Sequence, residues 1–170
     1  MGFVSPSEVN QYIQQDINSK IGSGFVYLST GSSNISLAYS LNFSLSVPLA
    51  SRWKLILPLE YGFASKNVMI NSTSYRYTMD RFTLGGLTRY TIPSKKSDNA
   101  FYFSGGLLYH AMSYRDYSGG TIGPRAEWGV IFYTFKLDYE TFIIFDYAKA
   151  NTDGPQINFS GVYFGFRVMF

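Results

Sequence analysis

The stretch NISLAYSLNFSLSVPL, Asn34 to Leu49, carries no charge and alternates strictly in character. Ile35, Leu37, Tyr39, Leu41, Phe43, Leu45 and Val47 hold the odd positions, with Ser36, Ala38, Ser40, Asn42, Ser44 and Ser46 between them. A repeat of two places successive side chains on opposite faces of a strand, so this segment has one oily face and one face of small polar groups. The uncharged run extends from Ile21 to Ser51, long enough to cross a bilayer as a helix. Wound as a helix, however, it would spread its Ser and Asn side chains around the whole cylinder and into hydrocarbon. Only strand geometry segregates them.

The same rhythm returns elsewhere. In WKLILPLEYGFA, Trp53, Leu55, Leu57, Leu59, Tyr61 and Phe63 share one face. Phe135, Leu137, Tyr139, Thr141, Ile143, Phe145 and Tyr147 do so in the next such stretch, and Val162, Phe164, Phe166, Val168 and Phe170 in the last. A soluble barrel also alternates, so volume has to decide the direction of the large face. These side chains exceed what the lumen of a small barrel can hold, and the bulky face must therefore point outward. Turned toward water it would be an apolar band far larger than monomers tolerate; turned toward lipid it is the usual arrangement. Composition agrees: charged residues are 15% of the chain, against about 25% in soluble domains, while aromatic residues reach 19%. The net charge of +3 comes from scattered Lys and Arg and gives no support for nucleic-acid binding. The chain has no Cys, so disulfides and thiolate metal sites are excluded. The opening MGFVSPSEVNQ lacks the basic and apolar regions of a secretory signal, so an exported protein would be represented here in mature form with an initiator Met.

The reading is an all-β chain: an eight-stranded antiparallel up-and-down transmembrane β-barrel over residues 21–170, preceded by an N-terminal periplasmic segment, residues 1–20, with a short amphipathic helix. Strands are expected at 21–30, 34–47, 53–64, 75–92, 100–114, 124–134, 135–148 and 157–170. VPLASR, PSKKSDN and the joint at Tyr133 to Phe135 form short turns at one end; GSSN, SKNVMINSTS, RDYSGGTIGPR and KANTDGPQ form loops at the other. Aromatic girdles are expected from Trp53, Tyr90, Tyr133, Phe135 and Phe170 at the turn side and Tyr61, Phe63, Tyr75, Tyr77, Tyr109, Tyr114 and Tyr147 at the loop side. Three details stand out. Pro58 removes a ladder donor inside the third strand, which predicts a bulge or local irregularity. The fourth strand changes parity, with Tyr75, Tyr77 and Met79 odd but Phe82, Leu84, Tyr90 and Ile92 even, which one extra residue near Asp80 would explain. In GSGFVYLST either Phe25 and Tyr27 or Val26 and Leu28 face outward. Val9, Tyr12, Ile13 and Ile17 follow helical spacing, with Ser5 or Ser7, Pro6 and Glu8 at its start, and the helix is expected on the turn side.

The chain resembles the small eight-stranded outer-membrane proteins of Gram-negative bacteria, the OmpA and OmpX type of barrel. The ending VYFGFRVMF carries the resemblance: Phe164, Phe166 and Val168 alternate toward a terminal aromatic, Phe170. In that family such an ending is the assembly signal read by the barrel-assembly machinery. The resemblance is architectural and implies a bacterial cell outer membrane location, contacts with outer-membrane lipid and lipopolysaccharide, and a monomer.

Read together, the inward faces give a lumen polar network of Lys54, Glu60, Arg89, His110, Glu127, Lys136, Asp138, Glu140, Asp146 and Arg167. Charges in so narrow a space have to be paired, which makes a salt-bridged plug the simplest role and disfavours a porin-like open channel. The sole histidine, His110, invites a catalytic reading, because some barrels of this size modify lipid A and the deacylase kind carries His and Ser two apart. Here the nearest serine, Ser113, is three away and falls on the opposite face. Lipid A palmitoyltransferases of this class also begin with an amphipathic helix, so the enzyme reading stays open beside that of a narrow channel or carrier for small hydrophobic molecules. No catalytic residue, cofactor or metal site is assigned; there is no phosphate loop, metal-ligand cluster or nucleophile elbow. The expected role is a non-catalytic scaffold whose loops, with Tyr75, Arg76, Tyr77, Tyr114, Arg115, Asp116 and Tyr117 near their bases, contact lipopolysaccharide, a host or envelope proteins.

Overall fold

The computed structural model describes residues 1–4, 6–21, 35–70, 73–95 and 97–169. Among the described residues the chain is mostly antiparallel β, with one eight-stranded sheet and a single helix. The elements are β1 (Gly2–Val4), α1 (Ser7–Ile21), β2 (Leu37–Ala50), β3 (Trp53–Ile70), β4 (Thr73–Pro93), β5 (Asn99–Tyr114), β6 (Tyr117–Phe132), β7 (Asp138–Asp146), β8 (Lys149–Ala150), β9 (Ile157–Asn158) and β10 (Gly161–Met169). The sheet closes on itself in the order β1-β10-β7-β6-β5-β4-β3-β2, and β8 pairs with β9 in a separate two-stranded ribbon.

Alternation sets the two surfaces of the barrel. On β3 the side chains of Leu57, Leu59 and Tyr61 are exposed outside while Ile56, Pro58 and Glu60 are buried inside. On β7, Ile143 and Phe145 point out and Glu140, Ile144 and Asp146 point in. Each β3–β4 partner pair sums to the same register from Trp53↔Tyr90 to Ile70↔Thr73, so no residue is inserted. The expected irregularity at Pro58 takes a milder form: the β3–β4 ladder lapses between Ile56↔Leu87 and Leu59↔Leu84 and then resumes in register. Opposite the lapse, Gly85 has a positive φ of 156°, and a Cβ there would lie 2.6 Å from the Leu107 carbonyl oxygen, which fits only glycine.

No extra residue occurs near Asp80. Tyr77 and Met79 point inward like Arg81 and Thr83, and both are buried. What changes there is the content of the lumen, which turns from polar to apolar because α1 fills it. Val9, Ile13 and Ile17 lie one helical turn apart, form a single stripe, and are fully buried against Val68, Tyr77, Met79, Met112, Tyr114 and Ile157 among others. Burying each is worth about 1.5–3 kcal/mol. The helix starts with the Asn10 amide bonded to the Pro6 carbonyl, and Glu8 in its first turn and Lys20 in its last suit the helix dipole. Asn10 also donates to the Ile35 carbonyl at 3.1 Å and accepts from the Ile35 amide at 2.8 Å, which ties α1 to the start of β2.

Two sequence expectations change as a result. The helix sits at the end of the long hairpins, opposite the short turns where the sequence reading placed it. It is also preceded by a strand of the barrel itself: β1 pairs Gly2 with Tyr163 and Ala38. Three residues are too few to register as a period, although Gly2 and Val4 face inward and Phe3 outward. Of the first strand expected at 21–30, residues 22–30 lie outside the described residues. The segments SKNVMINSTS and RDYSGGTIGPR are largely strand, because β3–β4 and β5–β6 continue upward and pack their inner faces on α1. The second hairpin turns at Arg115, whose φ is 52°. Tyr77 and Tyr114 therefore belong to the helix-packing core rather than to an aromatic rim or a contact surface.

Replacing Ile13 by Ala is expected to lower stability by about 2–5 kcal/mol, measured by denaturant unfolding in detergent micelles. Ile13→Asp is expected to release α1, read as rapid amide exchange confined to residues 7–21.

Candidate functional site

The lumen holds two charge clusters stacked along the barrel axis. Near the turn end, Arg89 of β4 reaches Glu140 of β7 at 2.8 Å and Glu127 of β6 at 3.0 Å. Arg167 of β10 joins the same two carboxylates, and the Tyr102 hydroxyl donates to Glu127 at 2.7 Å. The Arg89 guanidinium also lies 3.8 Å from the centre of the Tyr102 ring. Nearer the helix, Arg125 of β6 bridges Glu60 of β3 at 2.8 Å and Asp146 of β7 at 2.5 Å. Arg81 of β4 pairs with the same Glu60 and with Asp146 at 2.8 Å. Ile56 of β3, Leu87 of β4 and Leu108 of β5 form an apolar layer of the lumen.

Each cluster has two arginines and two carboxylates, so the formal charge of each is zero. Strand alternation produces this arrangement. On β4, Arg81 and Arg89 share the inward parity; on β6 so do Arg125 and Glu127, and on β7 Glu140 and Asp146. Four strands contribute to each cluster, which cross-braces the barrel. Removing one member leaves a buried charge without its partner, costing about 3–5 kcal/mol.

His110 of β5 lies beside the upper cluster and is fully buried. Its Nδ1 shares a hydrogen bond with Thr83 Oγ1 at 2.9 Å, and its Nε2 faces Asp146 Oδ1 at 3.7 Å. Those two facing atoms have no hydrogen-bond partner. Ser113 is on the other face of β5, three residues away. His110 does not line the cavities of about 820 and 190 Å³ that open nearer the turn end.

Of the residues read from sequence as the lumen network, the structure brings Glu60, Arg89, His110, Glu127, Glu140, Asp146 and Arg167 inside. Lys54, Lys136 and Asp138 are not part of the buried clusters. Lys54 is exposed at the turn-end mouth, where it lines a cavity of about 820 Å³ together with Arg89, Glu140 and Arg167. Lys136 is exposed in the β6–β7 turn, and Asp138 accepts the Thr134 amide at 3.1 Å to close that turn. Both follow the inward parity, but Lys136 lies in the turn, and Asp138, the first residue of β7, lines the cavity at the turn-end mouth below the buried clusters. Sequence reasoning missed Arg81 and Arg125. Arg125 was legible as the same-parity neighbour of Glu127 but fell in a segment read as loop; Arg81 was hidden by the parity shift assumed at Asp80.

A third polar group, outside the barrel wall proper, clamps α1 in place. Asp16 pairs with Lys20 at 2.5 Å and with Arg115 at 2.8 Å, and the Tyr77 hydroxyl donates to it at 2.8 Å. Tyr12 and Tyr117 share a hydroxyl–hydroxyl bond of 2.8 Å, and the Gln156 amide donates to Glu8 at 2.9 Å. Burial acts to raise the Asp16 pKa, but the hydrogen bonds from Lys20, Arg115 and Tyr77 outweigh it and hold the carboxyl well below its ordinary value. Among the described residues no group of His, Asp and Glu could hold a metal ion. Of the assembly-signal residues, Phe164, Phe166 and Val168 are exposed on the outer face of β10, and Phe170 lies outside the described residues. Comparison with known protein families, curated proteins and solved structures finds no match for this chain.

Arg125→Met is expected to destabilise the barrel by about 3–5 kcal/mol, with part of the loss recovered when Glu60→Gln is added, measured by denaturant unfolding of the single and double variants. Because the Asp16 pKa is depressed on folding, its contribution is complete above about pH 4 and is lost as pH falls below that toward the folded value. Amide exchange in α1 is therefore expected to accelerate only in strong acid, and Asp16→Asn is expected to remove that dependence.

Proposed function

We propose that this protein is an eight-stranded transmembrane β-barrel of a bacterial outer membrane and acts there as a non-catalytic scaffold. One observation carries the reading: large apolar side chains are exposed on the outer face of every barrel strand while the charges are buried inside. Phe3, Phe43, Leu59, Leu84, Leu107, Trp128, Phe145 and Phe166 represent the eight strands in that band. From Trp53 to Phe63 the band follows β3, a path that at the usual strand tilt gives a height of about 25 Å, the thickness such barrels present to hydrocarbon. Exposed Trp53 packs on Tyr90 at one margin, and Tyr61 and Tyr147 stand at the other.

The two neutral clusters and α1 occupy the lumen, which supports a plugged barrel rather than a conduit. The hairpins β3–β4 and β5–β6 rise past the band and carry Arg76, Arg115 and Asp116 at accessible positions. They are the proposed contact surface for lipopolysaccharide or envelope proteins, and the barrel-assembly machinery is the proposed partner during insertion. An enzymatic role finds little support: His110 is fully buried beside the upper cluster, Ser113 lies on the opposite face of β5, and Ser104, on the same face but six residues away, accepts from Arg89.

In liposomes, tryptophan fluorescence is expected to be quenched by lipids brominated deep in the acyl chains and to resist a water-soluble quencher; the reverse pattern would remove the membrane reading. Planar bilayers containing the protein are expected to show no steady single-channel openings. Lipid A from cells with and without the protein is expected to have the same acyl chains by mass spectrometry, and a gained or lost chain would replace the scaffold role with an enzymatic one.

A further inference from the structure

Cations that are scattered along the sequence gather at one end of the barrel in space. The two lumen clusters are neutral, so the formal charge of +3 is carried outside them. Toward the hairpin tips stand Lys20, Lys66, Arg76, Arg115 and Lys149. Glu8, Asp16, Asp80, Asp116 and Asp153 balance them there. The excess therefore lies at the turn end, where Arg52, Lys54, Lys95 and Lys136 are all exposed and face only Asp98 and Asp138 among the described residues. Lys96 follows Lys95 in sequence and adds to the same side of the balance. Among the described residues none of those four cations is in an ion pair, the pairs being confined to the lumen and to the Asp16 clamp.

The turns that carry these cations are laced together. The Thr91 amide donates to the Arg52 carbonyl at 2.9 Å, which ties the β2–β3 turn to the end of β4, and the Tyr133 amide donates to the Asp98 carbonyl at 3.0 Å, which ties the β4–β5 turn to the β6–β7 turn. The cations thus share one rim. Arg52 stands at the margin of the outer apolar band: its Nη1 donates to the Tyr90 hydroxyl at 3.3 Å, and Tyr90 packs on exposed Trp53. In the β6–β7 turn Lys136 lies between Phe135, which is fully exposed, and Leu137, which is about half exposed. A cation flanked by unburied apolar side chains matches a ligand that presents a negative group directly beside hydrocarbon.

Building on the membrane reading, we infer that the turn rim is a docking surface for the phosphate groups of anionic lipids in the leaflet it faces. Arg52 and Lys136 take the phosphates, Arg52 with its forked donors and the neighbouring Tyr90 hydroxyl, while Lys54 and Lys95 add to the attracting field. Trp53, Phe135 and Leu137 lie against the upper part of the acyl chains. Each cation near an anionic membrane surface strengthens the attraction about fivefold at moderate salt. An acidic soluble polypeptide would meet the same charge but leave the apolar side chains beside Arg52 and Lys136 facing water.

The test uses the full chain with Trp128→Phe, which leaves Trp53 as its one tryptophan, in liposomes of phosphatidylcholine with a minor share of phosphatidylglycerol. Bromine placed high in the acyl chains is carried on one lipid or the other at the same share. Brominated phosphatidylglycerol is expected to quench Trp53 about threefold or more strongly than brominated phosphatidylcholine. Salt at about 1 M, which shortens the screening length to about 3 Å, is expected to abolish the difference. Arg52→Gln with Lys136→Gln is expected to remove most of the preference. Lys66→Gln with Lys149→Gln, the same loss of charge at the other end, is expected to keep it. Equal quenching by the two lipids, or equal loss of preference in both double variants, overturns the proposal. Equal quenching accompanied by co-sedimentation of oligoglutamate with the liposomes overturns it in favour of an acidic polypeptide. Absence of quenching by either lipid instead removes the membrane reading itself, so the two failures are told apart.

Discussion

The structure depends on the pairing of buried arginines with buried carboxylates across a cavity too narrow to hydrate them. An eight-stranded barrel has room for side chains and little else, so every inward charge has to meet an opposite one within hydrogen-bonding distance. Glu60, Arg81, Arg125 and Asp146 satisfy one another in one layer, and Arg89, Glu127, Glu140 and Arg167 in a second. Such pairs contribute less to net stability than well-packed hydrocarbon would. Their effect is on specificity: a one-residue slip of any contributing strand would turn its charges outward into the apolar band and its leucines inward.

Above the charges the solution changes. The inner faces of β3, β4 and β5 become apolar at Ala64, Val68, Tyr77, Met79, Met112 and Tyr114, and a helix rather than salt bridges fills the space. The helix has a narrow oily stripe and polar flanks, and those flanks are used: Asn10 binds the start of β2, Asp16 binds two hairpins, and Tyr12 reaches Tyr117. One barrel is thus filled by two chemistries, ionic near the turns and hydrophobic near the hairpin tips.

Much of this was legible in the sequence, because period two is a local property that no tertiary contact has to decide. The outward faces of β2, β3, β7 and β10 follow directly from the alternation of Leu41, Leu57, Ile143 and Phe166 with their small or polar neighbours. What could not be read was set by contacts distant in sequence. The odd parity of Tyr77 and Met79 suggested an inserted residue, since nothing local reveals that a helix sixty residues upstream lies against them. Arg81 was lost with that assumption, and Arg125 with the reading of its glycine-rich surroundings as loop. Lys136 erred the other way: it keeps the inward rhythm but lies where the strand has given way to a turn, while Asp138, which opens β7, stays at the mouth of the lumen outside the buried clusters. The three residues of β1 fell below any periodic signal.

The placement of β1 has a consequence for assembly order. Gly2 meets Tyr163, nearly the full length of the chain away, so the ring cannot shut until the last strand is in place. Contacts so far apart in sequence are slow to form and come after local hairpins such as β3–β4 and β5–β6. Because α1 follows β1 directly, the few residues that close the ring also tether the helix that stoppers its mouth, so closure and plugging are joined in one short stretch of chain.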